Sequence, residues 1–209
     1  MEFGKLEDLT GVDFRLPDDP PFNRATFDNL FTDKNLPRVY VGATGWAMKE
    51  WVGTVYPPGA KTRDFLYHYA RQFNTIELNT THYRVPDVPT IERWRRLTPP
   101  DFRFCPKLPQ TVSHSRFLGK GTEILREFCA AVAGLEERLG CCFIQLPPWF
   151  EPERLPVLAA FLEGFPPEIP LAVEVRHPDW FNDPARLRDF LDCLQTQGAT
   201  AVLTDVAGR

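Results

Sequence analysis

Six short β-rich runs alternate with helix-like stretches at a nearly constant interval, and this regularity constrains the fold more than any other feature. The runs Val39–Ala43, Phe73–Asn79, Arg103–Leu108, Cys141–Leu146, Leu171–Arg176 and Thr200–Asp205 start 34, 30, 38, 30 and 29 residues apart. Helix-like stretches lie between them, over about 62–72, 90–97, 122–139, 153–163 and 184–197. Strand alternating with helix predicts right-handed βαβ units and a parallel sheet. The glycines after the first run, Gly42-Ala43-Thr44-Gly45-Trp46, do not form G-x-G-x-x-G, which disfavours a dinucleotide site.

The side-chain alternation within the runs separates two kinds of α/β protein. Thr75, Glu77 and Asn79 share one face of their strand, and Ile76 and Leu78 share the other. Arg103, Cys105 and Lys107 likewise oppose Phe104 and Leu108; Phe143 and Gln145 oppose Ile144 and Leu146. Ala172, Glu174 and Arg176 oppose Leu171, Val173 and Val175, and Ala201, Leu203 and Asp205 oppose Val202 and Thr204. A doubly wound sheet is apolar on both faces because helices cover both. One apolar face, with the other turning polar toward the strand's C-terminal end, predicts a TIM-type (β/α) barrel with its mouth at that end. At about 32 residues per unit, eight units starting at Val39 would end near residue ~295. About six units are present, so the expectation is a barrel incomplete before its last two strands, with open sheet edges. Residues 1–36, with Phe3, Phe14, Phe22, Phe27 and Phe31 at no steady period, are expected to be an extension packed on the barrel formed by 37–209.

Composition excludes several classes. The 209 residues are 43% hydrophobic, 13% aromatic and 25% charged, which rules out a disordered, collagenous or coiled-coil chain. A net charge of −4 argues against coating nucleic acid by bulk charge. No apolar run approaches the ~20 residues that span a bilayer. The acidic start Met1-Glu2-Phe3-Gly4-Lys5 is unlike a secretory signal, so a cytoplasmic protein without membrane association is expected. The five cysteines are odd in number and lack any C-x-x-C, consistent with reduced core thiols.

Five polar groups fall at or near C-terminal strand ends: Glu77, Lys107, Gln145, Glu174 and Asp205, with Arg176 ending the same face as Glu174. In a barrel these ends converge on one pocket. Glu77 or Glu174 would serve as general base or nucleophile, and Lys107 or Arg176 would hold a polar or anionic oxygen. Asn79 and Gln145 would orient substrate hydroxyls; Asp205 would pair with Lys107 or act as a second carboxylate. The competing reading is a salt-bridge layer, Glu77–Lys107 and Glu174–Arg176, that only caps the core. His82 and His114 follow the second and third strands on the same side. Trp46 and Tyr83, just past their strands, are expected ligand contacts, and His114 is expected to bind substrate with them. No H-E-x-x-H or H-x-H spacing occurs, so neither metal nor cofactor is expected.

Longer runs then carry a family resemblance. Gly42-Ala43-Thr44-Gly45-Trp46, Trp51 and Tyr56-Pro57 are followed by Phe73-Asn74-Thr75-Ile76-Glu77-Leu78-Asn79-Thr80-Thr81-His82-Tyr83-Arg84. Trp94, Thr98-Pro99-Pro100-Asp101-Phe102-Arg103-Phe104, Lys107, His114 and Gln145-Leu146-Pro147-Pro148 come next. Ala172-Val173-Glu174-Val175-Arg176-His177-Pro178, Trp180-Phe181 and Asp205 complete the series. The chain resembles the DUF72 (YecE-like) family over about 38–209. The resemblance implies a TIM barrel and a cytosolic, mostly bacterial or archaeal protein. It implies no reaction, and it points to the same strand-end residues.

Three functions compete. The first is a metal-independent acid/base enzyme (a hydrolase, lyase or isomerase) acting on a small polar substrate such as a sugar or nucleoside. The second is a nucleic-acid binder or repair nuclease using Lys49, Arg84, Arg116 and Lys120, which the net charge disfavours. The third is a ligand-binding barrel without turnover. The oligomeric state has no signature in the sequence.

Overall fold

The structure, a computed structural model, describes residues 38–204; the expected extension over 1–36 and Asp205 lie outside them. Five short strands carry the architecture of the Tyr40–Leu203 unit: β1 (Thr75–Leu78), β2 (Arg103–Pro106), β3 (Cys142–Gln145), β4 (Leu171–Glu174) and β5 (Thr200–Ala201). All pairings are parallel. Thr75 aligns with Arg103 between β1 and β2, Cys142 with Leu171 between β3 and β4, and Ala172 with Thr200 between β4 and β5. The strands form a two-stranded and a three-stranded sheet. Isolated parallel bridges, Phe104 with Leu139 and Lys107 with Phe143, join β2 to the β3 side. Gly140 N donates to Phe104 O at 2.7 Å and Leu108 N to Phe143 O at 2.9 Å across this seam. Neighbours in space are therefore neighbours in sequence, without the strand-order reversal of a doubly wound sheet. The fold is mixed α/β, and the described strands do not close into a barrel.

The first expected strand, Val39–Ala43, is not assigned as one. Val41 and Ala43 nevertheless lie beside β1, their carbonyls accepting from Asn74 N at 3.3 Å and Glu77 N at 3.1 Å. Tyr69 fixes this edge: its hydroxyl accepts from Ala43 N at 2.6 Å and donates to Thr75 O at 3.0 Å. Gly42 lies so close to β1 that a Cβ there would meet Thr75 O at 2.1 Å and Thr75 C at 2.7 Å, both backbone. Gly42→Ala is therefore expected to destabilise the protein by about 2 kcal/mol. A urea titration with an unshifted midpoint would contradict this close approach.

Helices follow the strands near the expected places with somewhat different bounds, and two short ones, after β2 and β4, were not expected. They are α1 (Phe65–Tyr69), α2 (Val88–Leu97), α3 (Gln110–Ser113), α4 (Glu123–Ala133), α5 (Leu155–Glu163), α6 (Asp179–Asn182) and α7 (Pro184–Thr196). Asp87 and Asp183 cap α2 and α7, accepting from Thr90 N at 3.0 Å and Ala185 N at 2.9 Å, with a proline in each first turn. The stretch expected as one helix over 122–139 breaks at Gly134, and a 3₁₀ turn, Glu136–Arg138, follows. Buried residues recur at helical spacing: Leu125, Phe128 and Val132 on α4, Leu158, Phe161 and Leu162 on α5, and Phe190 and Leu194 on α7. Two apolar clusters result. One, with Ile144, Val173, Phe150 and Trp180, packs about β3 and β4; the other, with Ile76, Phe104, Trp94 and Tyr69, packs about β1 and β2. Leu139 touches both. No helix among the described residues is long and apolar enough to cross a membrane.

Candidate functional site

The strands end together, and their inner faces carry the polar groups there. On β1, Ile76 and Leu78 are buried while Thr75 and Glu77 are half-buried; on β2, Phe104 and Pro106 are buried while Arg103 and Cys105 are half-buried. Lys107 follows directly. Gln145 ends β3 and Glu174 ends β4, aligned with one another in the register.

A chain of hydrogen bonds runs across three of these strand ends. Lys107 Nζ donates to Gln145 Oε1 at 2.8 Å, and Gln145 Nε2 donates to Glu174 Oε2 at 2.7 Å. Arg176 Nε donates to Glu174 Oε1 at 2.6 Å, an ion pair with Glu174 only 4% exposed. Glu174 is thus held on both oxygens. Glu77 is held on one, with Oε1 accepting from Asn79 Nδ2 at 2.9 Å. No bond to its other oxygen occurs among the described residues.

Of the two salt bridges expected as a capping layer, Glu174–Arg176 forms and Glu77–Lys107 does not. The lysine reaches instead for the Gln145 amide, which leaves an ammonium bonded to a neutral group with two carboxylates nearby. Burial lowers the Lys107 pKa; the nearby Glu174 and Glu77 charges oppose that shift and Arg176 adds to it.

The histidines join this end. His82 is buried in the Asn79–His82 turn after β1, with Nδ1 2.8 Å from Leu108 O. His114, just past α3, is exposed, and its Nδ1 lies 2.9 Å from Ser113 Oγ. The two rings meet edge to face, centroids 5.9 Å apart. Burial lowers the His82 pKa, partial burial of the ring lowers that of His114, and the positive charge of Lys107 adds to both shifts. Thr81, absent from the sequence expectations, fastens the site: its Oγ1 is 2.8 Å from Leu78 O and 2.7 Å from Lys107 O. A hydroxyl three residues past a strand end was the signal for it.

Of the expected aromatic contacts, Trp46 lies in an apolar cluster and Tyr83 beside the histidines of this end. Trp46 packs edge-on against Trp94, centroids 5.8 Å apart, and belongs to the apolar cluster about β1 and β2. Its position was read from a strand end that is not formed. Tyr83 is 80% exposed and touches His82 with its ring, centroids 5.2 Å apart. Asp205 lies outside the described residues. Among the described residues no three His, Cys, Asp or Glu side chains converge as a metal site. A cleft of about 510 Å³ lies at the opposite strand ends, lined by Arg71, Phe73, Asn74 and Asp101 among others. The convergent acid/base groups are at the other end.

The profile of a family described as "Protein of unknown function DUF72" matches residues 40–209. The chain belongs to the DUF72 family. It is similar to YecE of Escherichia coli, with 36% identity over 167 residues that cover 80% of this chain and 59% of YecE. YunF of Bacillus subtilis is 29% identical over 156 residues, covering 70% of this chain and 53% of YunF. The chain therefore spans a little over half the length of these curated relatives. Two solved DUF72 structures share the fold. One from Thermotoga maritima has a TM-score of 0.62 at 33% identity, covering 79% of this chain and 64% of that one. One from Enterococcus faecalis has a TM-score of 0.66 at 22% identity, covering 79% and 60%.

Proposed function

We propose that the strand-end cluster is the acid/base centre of an enzyme acting on a small polar substrate such as a sugar or nucleoside. The class is a metal-independent hydrolase, lyase or isomerase, working at the mouth of a (β/α) barrel in the cytoplasm. The consecutive order of parallel strands supports the barrel, and the five reduced cysteines support a reducing compartment.

One observation carries the functional reading: the half-buried lysine is bonded to a neutral amide although two carboxylates lie nearby. A layer that only capped the core would pair its charges directly. Roles follow from the bonding. Glu77, with one oxygen unbonded, takes and returns a proton. Glu174, held on both oxygens, orients Gln145 and Arg176. Lys107 and Arg176 face developing negative charge on the substrate.

The test compares the unmodified protein with Glu77→Gln against a library of phosphorylated and free sugars, nucleosides and small acids, with products read by mass spectrometry. The variant is isosteric and keeps an acceptor for Asn79. Turnover is expected to fall on the order of 10²–10³-fold, with the melting temperature nearly unchanged. A library left untouched by the unmodified protein, or turnover surviving Glu77→Gln, would remove the acid/base reading.

A further inference from the structure

We propose that Lys107 is an imine-forming amine, so that the substrate of this site is an aldehyde or ketone. The inference rests on the acid/base reading above and deepens it by naming the reactive group.

The geometry around Lys107 is that of an amine kept from a permanent ion pair. Each neighbouring element presents an identifiable group. β1 brings Glu77, tied to Asn79, and the turn after it brings His82, tied to the Leu108 carbonyl. α3 is followed by His114, tied to Ser113. β3 brings Gln145, the hydrogen-bond acceptor of Nζ, and the Phe143 ring, whose centroid is 5.7 Å from Nζ. β4 brings Glu174, and Arg176 lies just past it, the two engaged with each other. Both carboxylates thus have other partners, and the Arg176 cation shares the space. Burial lowers the lysine's pKa, with Arg176 adding to the shift and the two carboxylates opposing it, which raises the fraction of neutral amine near pH 7. The backbone carries the same economy of motion, because Thr81 Oγ1 holds the Lys107 carbonyl.

The step balances without an oxidant. Glu77 takes a proton from the ammonium. The freed lone pair forms a C–N bond to the carbonyl carbon, while the C=O π pair moves to oxygen. That oxygen takes the proton that the nitrogen then loses, giving a carbinolamine. Glu77 returns its proton to the hydroxyl, which leaves as water. Ammonium plus carbonyl becomes protonated imine plus water. The imine then draws electrons from the adjacent C–H or C–C bond, and Glu77 accepts the proton released, which is isomerase or lyase chemistry.

The full chain would be incubated near neutral pH with glyceraldehyde, dihydroxyacetone or pyruvate, each with sodium cyanoborohydride. Reduced adducts would be mapped by peptide mass spectrometry. The expected result is one adduct per chain at Lys107, at least about tenfold above the exposed Lys49, Lys61 and Lys120, and its loss in Lys107→Met. Competitive acetylation of the unmodified protein across pH gives a second readout independent of that variant's folding. The Lys107 midpoint is expected below those of the three exposed lysines. Equal labelling of all four lysines by every carbonyl, or a Lys107 midpoint matching the others, would overturn the proposal. Turnover that depends on Glu77 without any adduct at Lys107 overturns the imine alone. A specific adduct whose formation and turnover ignore Glu77→Gln overturns the role of Glu77 and leaves the imine standing.

Discussion

Replacing Glu174 by alanine is expected to lower the unfolding free energy by about 4 kcal/mol. The side chain ends β4, is almost fully buried, and accepts from both Arg176 Nε and Gln145 Nε2. Its removal leaves a largely buried guanidinium without its carboxylate, and an amide without its acceptor. Removing one member of such a pair costs far more than the pair contributes, because the remaining charge stays desolvated. Urea denaturation followed by circular dichroism measures the loss directly. The coupling should appear in a double-mutant cycle with Arg176→Ala, where the two single losses sum to more than the double loss. A Glu174→Ala midpoint close to that of the unmodified protein would mean that water already reaches this pair.

Trp180→Ala should cost a similar amount, about 4 kcal/mol. Trp180 on α6 is fully buried, stacks at an angle on Phe190 with centroids 5.3 Å apart, and donates from Nε1 to Phe150 O at 2.8 Å. Alanine leaves a ring-sized cavity and an orphaned carbonyl. Trp180→Phe separates the two terms: it keeps most of the volume and loses the bond, for an expected cost of about 1.5 kcal/mol. Thermal and urea unfolding of both variants would check the ratio. A Phe variant as unstable as the Ala variant would show that the hydrogen bond, not the packing, dominates. Trp180 also anchors the segment that carries Arg176, so its loss should loosen one end of the polar chain.

Much of the site was legible in the strand alternation. Period-two patterning placed Glu77, Lys107, Gln145 and Glu174 on one side of their strands, and parallel pairing brought their ends together. The bonding pattern was not legible. Glu77 and Lys107 are opposite charges on neighbouring strands, and pairing them is the obvious reading. The choice between Glu77 and Gln145 depends on side-chain reach and on the Asn79 amide turning to Glu77, which residue types alone do not convey. The expected role of Trp46 assumed that Val39–Ala43 formed a regular strand. The Gly42 approach and the Tyr69 hydroxyl hold that segment against β1 without regular strand pairing. Strand patterning also weakens at β4, where all four residues are buried and the two faces cannot be told apart by exposure.

The division of the hydrophobic interior into two clusters has a mechanical consequence. Between β2 and β3 the backbone is joined by isolated bridges and not by a full ladder. The Lys107–Gln145 bond crosses that same line. A breathing motion along that line would part the Lys107–Gln145 bond and so disconnect the amine from Glu174, which it reaches through Gln145. Chemistry and hinge would share one bond.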